Sequence, residues 1–152
     1  MEEPPGRARA PRALPFQRAS VHVFGHATER IEKVEEALRA VVGPAPVRQR
    51  RVTGHHGNPI QHLEAELSGG DLRRTMEALR ERHGPKLAAE ADARLSDDLW
   101  FYVRFDKQRA AQGEIVVAQV DDAIRLRAKV KTFPANRASA LLALGDYFGG
   151  QI

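Results

Sequence analysis

Residues 124–131 alternate without a break: Ile124, Leu126, Ala128 and Val130 against Arg125, Arg127, Lys129 and Lys131. A period of two is a strand's signature, because helical side chains return to one face only every 3.6 residues. The segment is predicted as a strand with one apolar and one cationic face. At a rise of roughly 3.3 Å per residue the four cations stand about 7 Å apart, a spacing similar to the phosphate repeat of a nucleic-acid strand. The same charges would also guard an exposed edge strand against aggregation.

The other segments fit such a sheet. Leu99, Phe101, Val103 and Phe105 alternate with Trp100, Tyr102 and Arg104, and Ser20–Phe24 sets Val21 and Val23 against His22 and Phe24. Val47–Val52 and Ile60–Leu67 read as a hairpin with Leu63, Ala65 and Leu67 inward, and Ile115–Ala118 as one more strand. Three helices are predicted. The first has Thr28 as N-cap, runs to Val42 with the pairs Glu29–Lys33 and Glu35–Arg39, and stops at Gly43-Pro44. The second is capped by Asp71 and ends at Gly84-Pro85, with a weaker helical stretch over Leu87–Leu95. The last is capped by Asn136 and docks Ala138, Leu141, Leu142 and Phe148.

Hairpins and grouped strands point to an α+β fold, an antiparallel or mixed sheet with helices packed mainly on one face. At 152 residues the chain suits one domain. Residues 1–18 hold four prolines and four arginines without apolar periodicity and are read as a flexible arm. Residues 19–152 are the single domain. The apolar runs are too short for a membrane span or a signal-peptide core, so a cytoplasmic location is expected.

Composition bounds the chemistry. Zero cysteines exclude disulfides and thiolate metal sites, and 24 basic against 20 acidic residues give a charge of +4. Arg48, Arg50 and Arg51 form a second basic group, directly before the loop Gly54-His55-His56-Gly57-Asn58-Pro59-Ile60. That loop exposes His55, His56 and Asn58 on a flexible backbone suited to hydrogen-bonding phosphate, sugar or base edges. Phe24, Trp100 and Tyr102 are candidates to stack on unpaired bases. A metal set drawn from His26, His55, His56 and Asp106 was weighed against this, but adjacent histidines rarely point at one ion. Phosphate-loop, dinucleotide and nucleophile-elbow patterns are missing. No metal, cofactor or catalytic residue is expected.

Four motifs carry a further resemblance: His26–Glu29 (HATE) followed by Lys33-Val34, GHHGNPI at 54–60, Arg104–Gln108 (RFDKQ) followed by Gly113-Glu114, and Asp121–Val130 (DDAIRLRAKV). In this order, across roughly residues 19–131, the chain resembles an archaeal family described as predicted RNA-binding or exosome-subunit-like proteins. Their fold is like that of the ribosomal 5S-RNA-binding protein. The resemblance implies an RNA-binding α+β fold without established catalysis or cofactor, and the exosome or ribosome-assembly proteins as partners.

The function expected is therefore a non-enzymatic protein for structured RNA in RNA processing or ribosome biogenesis. Arg48, Arg50, Arg51, Arg125, Arg127, Lys129 and Lys131 would meet phosphates, and His55, His56 and Asn58 would give local recognition. The competing readings are a subunit whose basic face meets an acidic protein, and a metal-dependent hydrolase or nuclease using the histidine loop.

Overall fold

Alternation is realised in one sheet. The structure, a computed structural model, describes residues 13–54 and 57–149. Its strands are β1 (Phe16–Gly25), β2 (Val47–Thr53), β3 (Pro59–Leu67), β4 (Trp100–Asp106) and β5 (Ala123–Val130). They lie in the order β2-β3-β1-β5-β4, and every neighbouring pair is antiparallel. The helices are α1 (Ile31–Val42), α2 (Gly69–Ala89), α3 (Ala91–Arg94), α4 (Lys107–Ala111) and α5 (Arg137–Leu144), which runs on into a π-helical turn at Gly145–Gly149. The fold is α+β, as the hairpin pattern requires.

One side of every strand but the outermost β2 is sealed. Val21 and Val23 of β1, Leu63 and Ala65 of β3, Phe101 and Val103 of β4, and Leu126 and Ala128 of β5 are all buried. They join Val34, Leu38 and Val42 of α1 and Leu72, Met76 and Leu79 of α2 in one apolar core. Burying a side chain of this size contributes roughly 1.5–3 kcal/mol, so this alternation is what fixes each strand's facing. The opposite face across β3, β1 and β5 carries the polar members of each strand.

Several local expectations change. β1 begins at Phe16, inside the segment read as an arm, because Phe16 is buried against Phe101, Tyr147 and Phe148. Residues 1–12 of that segment lie outside the described residues. Thr28 does not cap α1, whose first turn starts after Arg30. Glu29 is drawn to Lys107 instead of Lys33, while Glu35 does pair with Arg39 at 3.2 Å. Gly43 closes α1 at φ +62, the left-handed conformation glycine adopts without strain.

Ser68, not Asp71, precedes α2, and Asp71 sits in its first turn beside Arg74. Gly84-Pro85 does end the first part of that helix. The backbone kinks at His83 (φ −133°) and the helix restarts with Pro85 in its new first turn, where proline's missing N–H costs nothing. Ile115–Ala118 makes only a single bridge, Val117 to Phe105, because the chain first winds into α4. Asn136 caps α5 as predicted, its side-chain oxygen accepting from the Ser139 N–H at 2.8 Å. That helix is turned in part from its predicted facing: Leu141 and Phe148 do pack on the core, but Ala138 and Leu142 are exposed, and Ala140, Leu144 and Tyr147 go inward. The aromatic contacts to Phe16 and Phe101 set this rotation.

Candidate nucleic-acid interface

Residues directly opposite in an antiparallel sheet share a face, so the register spells out the helix-free surface. One row runs across all five strands as Arg48, Glu64, His22, Arg125 and Arg104. A second holds Ser20, Arg127 and Tyr102, and a third Arg18, Lys129 and Trp100. Three adjacent strands thus contribute Arg18, Arg104, Arg125, Arg127 and Lys129 to one surface. Arg48 and Arg50 lie on the same face but at its far edge. Between the two groups stands β3, which carries His62, Glu64 and Glu66 there.

Two predicted cations fall elsewhere. Arg51 pairs in register with Gln61, one position out of phase with Arg50, and therefore points to the other side. Lys131 lies past the end of β5, exposed, with its backbone N–H donating to Pro15. In the loop after β2, the Gly54 N–H donates to the Asn58 carbonyl at 2.7 Å and the Gly57 N–H to Gly54 at 3.0 Å. Gly57 has φ +80, and a Cβ on Gly54 would lie 2.8 Å from Ile60 and 3.0 Å from the Asn58 oxygen, so both glycines are required by shape. Asn58 is exposed. His55 and His56 lie outside the described residues.

The aromatics of this face are not equivalent. Trp100 is surrounded by cations: Arg127, Arg18 and Lys129 stand 4.4, 5.1 and 5.5 Å from its ring centre. Such contacts occupy the indole and hold the guanidinium of Arg127 in place. Phe24 packs against His62 at 4.8 Å and His22 at 5.8 Å. Tyr102 is 43% exposed and stands clear of them. Burial lowers the pKa of both histidines; Arg125 and Arg127 reinforce this at His22, Arg48 and Arg50 at His62, and Glu64 opposes it at both. Burial alone would raise Glu64, but its hydrogen bond from Arg48 and the neighbouring His62 hold it below the usual carboxylate range.

A second assembly lies where the ends of β1 and β4 meet the start of β5. Lys107 is 3% exposed, and its ammonium donates to the Phe24 carbonyl, Glu29 Oε1 and Asp122 Oδ1, each at 2.9 Å. His26 Nε2 stands 3.3 Å from Asp122, and the His26 N–H donates to Glu29. Ligand atoms of His26, Glu29 and Asp122 lie within 4.8 Å of one another, a spacing that suits a cation. The Lys107 ammonium already supplies that positive charge. Asp106, considered as a ligand from sequence, instead caps α4 by accepting the Arg109 N–H. HATE, RFDKQ and the double aspartate are therefore joined through one lysine.

The cationic face and the lysine node lie within the part of the chain that known proteins share. A family described as RNA binding matches residues 18–130. The chain belongs to this RNA-binding family. That match spans all but the first two residues of the sheet, together with every residue of the node. The RNA-binding protein PAB1135 of Pyrococcus abyssi is 33% identical over 142 residues, covering 86% of this chain and 92% of its own length. MJ0213 of Methanocaldococcus jannaschii is 32% identical over 126 residues, 74% of this chain and 83% of its own. Among solved structures, Mth689 of Methanothermobacter thermautotrophicus, described as a DUF54 protein, superposes with a TM-score of 0.78 at 32% identity, covering 88% of this chain and 98% of its own. Among the described residues, no helix is long and apolar enough to cross a membrane.

Several residues of this family's shared region carry little signal in the sequence. Arg18 lies within the segment read as an arm, although it falls directly opposite Lys129. Arg104 shares the polar phase of Trp100 and Tyr102, a signal present in the alternation itself. Lys107 has no periodic or spacing signal, since its partners lie 15, 78 and 83 positions away in sequence.

Proposed function

We propose that the chain binds structured RNA on the helix-free face of its sheet, without catalysing a reaction, in the cytoplasm. The observation that carries this reading is the placing of Arg18, Arg104, Arg125, Arg127 and Lys129 on three adjacent strands of one surface that no described helix covers. Phosphates attract such a group through counterion release, with no requirement for sequence. Arg48, Arg50 and the 54–58 loop extend the contact at the opposite edge. The family and the name of the Pyrococcus relative support RNA as the ligand. RNA processing or ribosome biogenesis is the setting we assign, with the exosome or ribosome-assembly proteins as partners.

Filter binding of a structured RNA across a salt series tests this. Four or five phosphate contacts give a log–log slope of about −3 to −5, at roughly 0.7–0.9 per phosphate. Affinity that does not respond to salt would overturn the reading.

A further inference from the structure

A depression of about 280 Å³ opens on the cationic face between β1, β5 and β4, lined by His22, Tyr102, Arg104, Arg125 and Arg127 among others. Its volume falls just below the roughly 300–1,000 Å³ of ligand clefts, room for a single planar ring system and not for a duplex. Arg104 and Arg125 are directly opposite on neighbouring strands, a like-charge pairing that is destabilising in a bare sheet. Their guanidinium groups donate to the backbone carbonyls of Val120 and Asp121, and the nearest carboxylate to Arg104, Asp121, is 3.9 Å away. Arg127 is held over Trp100.

Tyr102 supplies an exposed aromatic face at this depression, where Trp100 is already covered by cations and Phe24 by histidine rings. His22, half-buried, forms another wall. We propose that this depression holds one unpaired nucleotide of the bound RNA, its base stacked on Tyr102 and its phosphate between Arg104 and Arg125. The inference rests on the RNA-binding reading and sharpens it. The RNA recognised is a structured one that presents an extruded base, because a base inside a helix offers no free ring face.

The test uses the full chain and two RNA hairpins, one fully paired and one carrying a single bulged 2-aminopurine. The bulged hairpin binds more tightly, and its fluorescence changes on binding as the base stacks. Y102A weakens that complex by about 5- to 150-fold, the range for losing one base–aromatic stack, and leaves the paired hairpin unaffected. Y102F keeps both the affinity and the fluorescence change, which excludes a folding defect as the cause. Equal affinity for the two hairpins, with Y102A silent on both, overturns the nucleotide site and leaves RNA binding standing. Failure to bind either hairpin overturns both.

Discussion

Lys107 shows how much one side chain decides here. Its ammonium is the common partner of a β1 carbonyl, a glutamate before α1 and an aspartate before β5. Removing one member of a buried charged group costs about 3–5 kcal/mol, and the carboxylates' partial access to water lowers that to roughly 2–3 kcal/mol here. K107M should therefore lower the unfolding free energy by that much, read as a lower urea midpoint at an unchanged m-value; a loss below about half a kcal/mol would contradict the role. The histidines of the open face make a different prediction. Both titrate below the ordinary value of 6.5 in the folded chain, so just below that value the unfolded chain holds more protons. Stability is then complete above about pH 6.5 and declines as the pH drops through that value toward the folded-state pKa values. Urea midpoints at pH 7.5 and 5.5 should differ in this sense, and the difference should shrink in H22F.

At the scale of elements, α2 tests packing against propensity. Gly84 lies in a helix, where alanine would be favoured by up to ~1 kcal/mol. A Cβ there would fall 2.5 Å from the Phe148 carbonyl oxygen, so the close approach of the C-terminal turn excludes it. G84A should destabilise the fold by about 1–3 kcal/mol despite its better propensity, as read by thermal unfolding. A rise in melting temperature would show that the contact yields. The same contrast explains which elements were legible. β4 and β5 read correctly because alternation is a property of neighbours in sequence. The facing of α5 did not, because Tyr147 and Phe148 are oriented by Phe16 and Phe101 from elsewhere in the chain. The short α4 and the lone bridge at Val117 had no pattern long enough to announce them.

For the whole molecule, the order β2-β3-β1-β5-β4 matters more than the charge of +4. It places β5 beside both β1 and β4, so cations far apart in sequence share one surface, while β3 separates that group from Arg48 and Arg50. At strand spacings of about 4.8 Å, β2 and β5 stand roughly 14 Å apart. This partition makes charge reversals unequal. R125E should weaken RNA binding several-fold and reduce the salt slope by about one, whereas R51E, facing the other way, should stay within about two-fold of the parent. Equal losses from the two, measured by filter binding, would mean that binding follows total charge and not the face.

The class of fold, the β2–β3 hairpin, the apolar and cationic sides of β5, and the family are all legible in the chain's residues, since each depends on local period or on contiguous motifs. The sequence also marks the loop with Gly54 and Gly57 as flexible, and the structure shows why both must be glycine. Only the folded sheet sets Arg51 and Lys131 apart from the cationic rows while joining Arg18 and Arg104 to them. The tertiary structure alone reveals that Lys107 ties three motifs together and that Tyr102, not Trp100, keeps its ring free. The physical reason is common to all of these. Strand order and register bring together residues scores of positions apart, and no local periodicity records which strand will lie beside which.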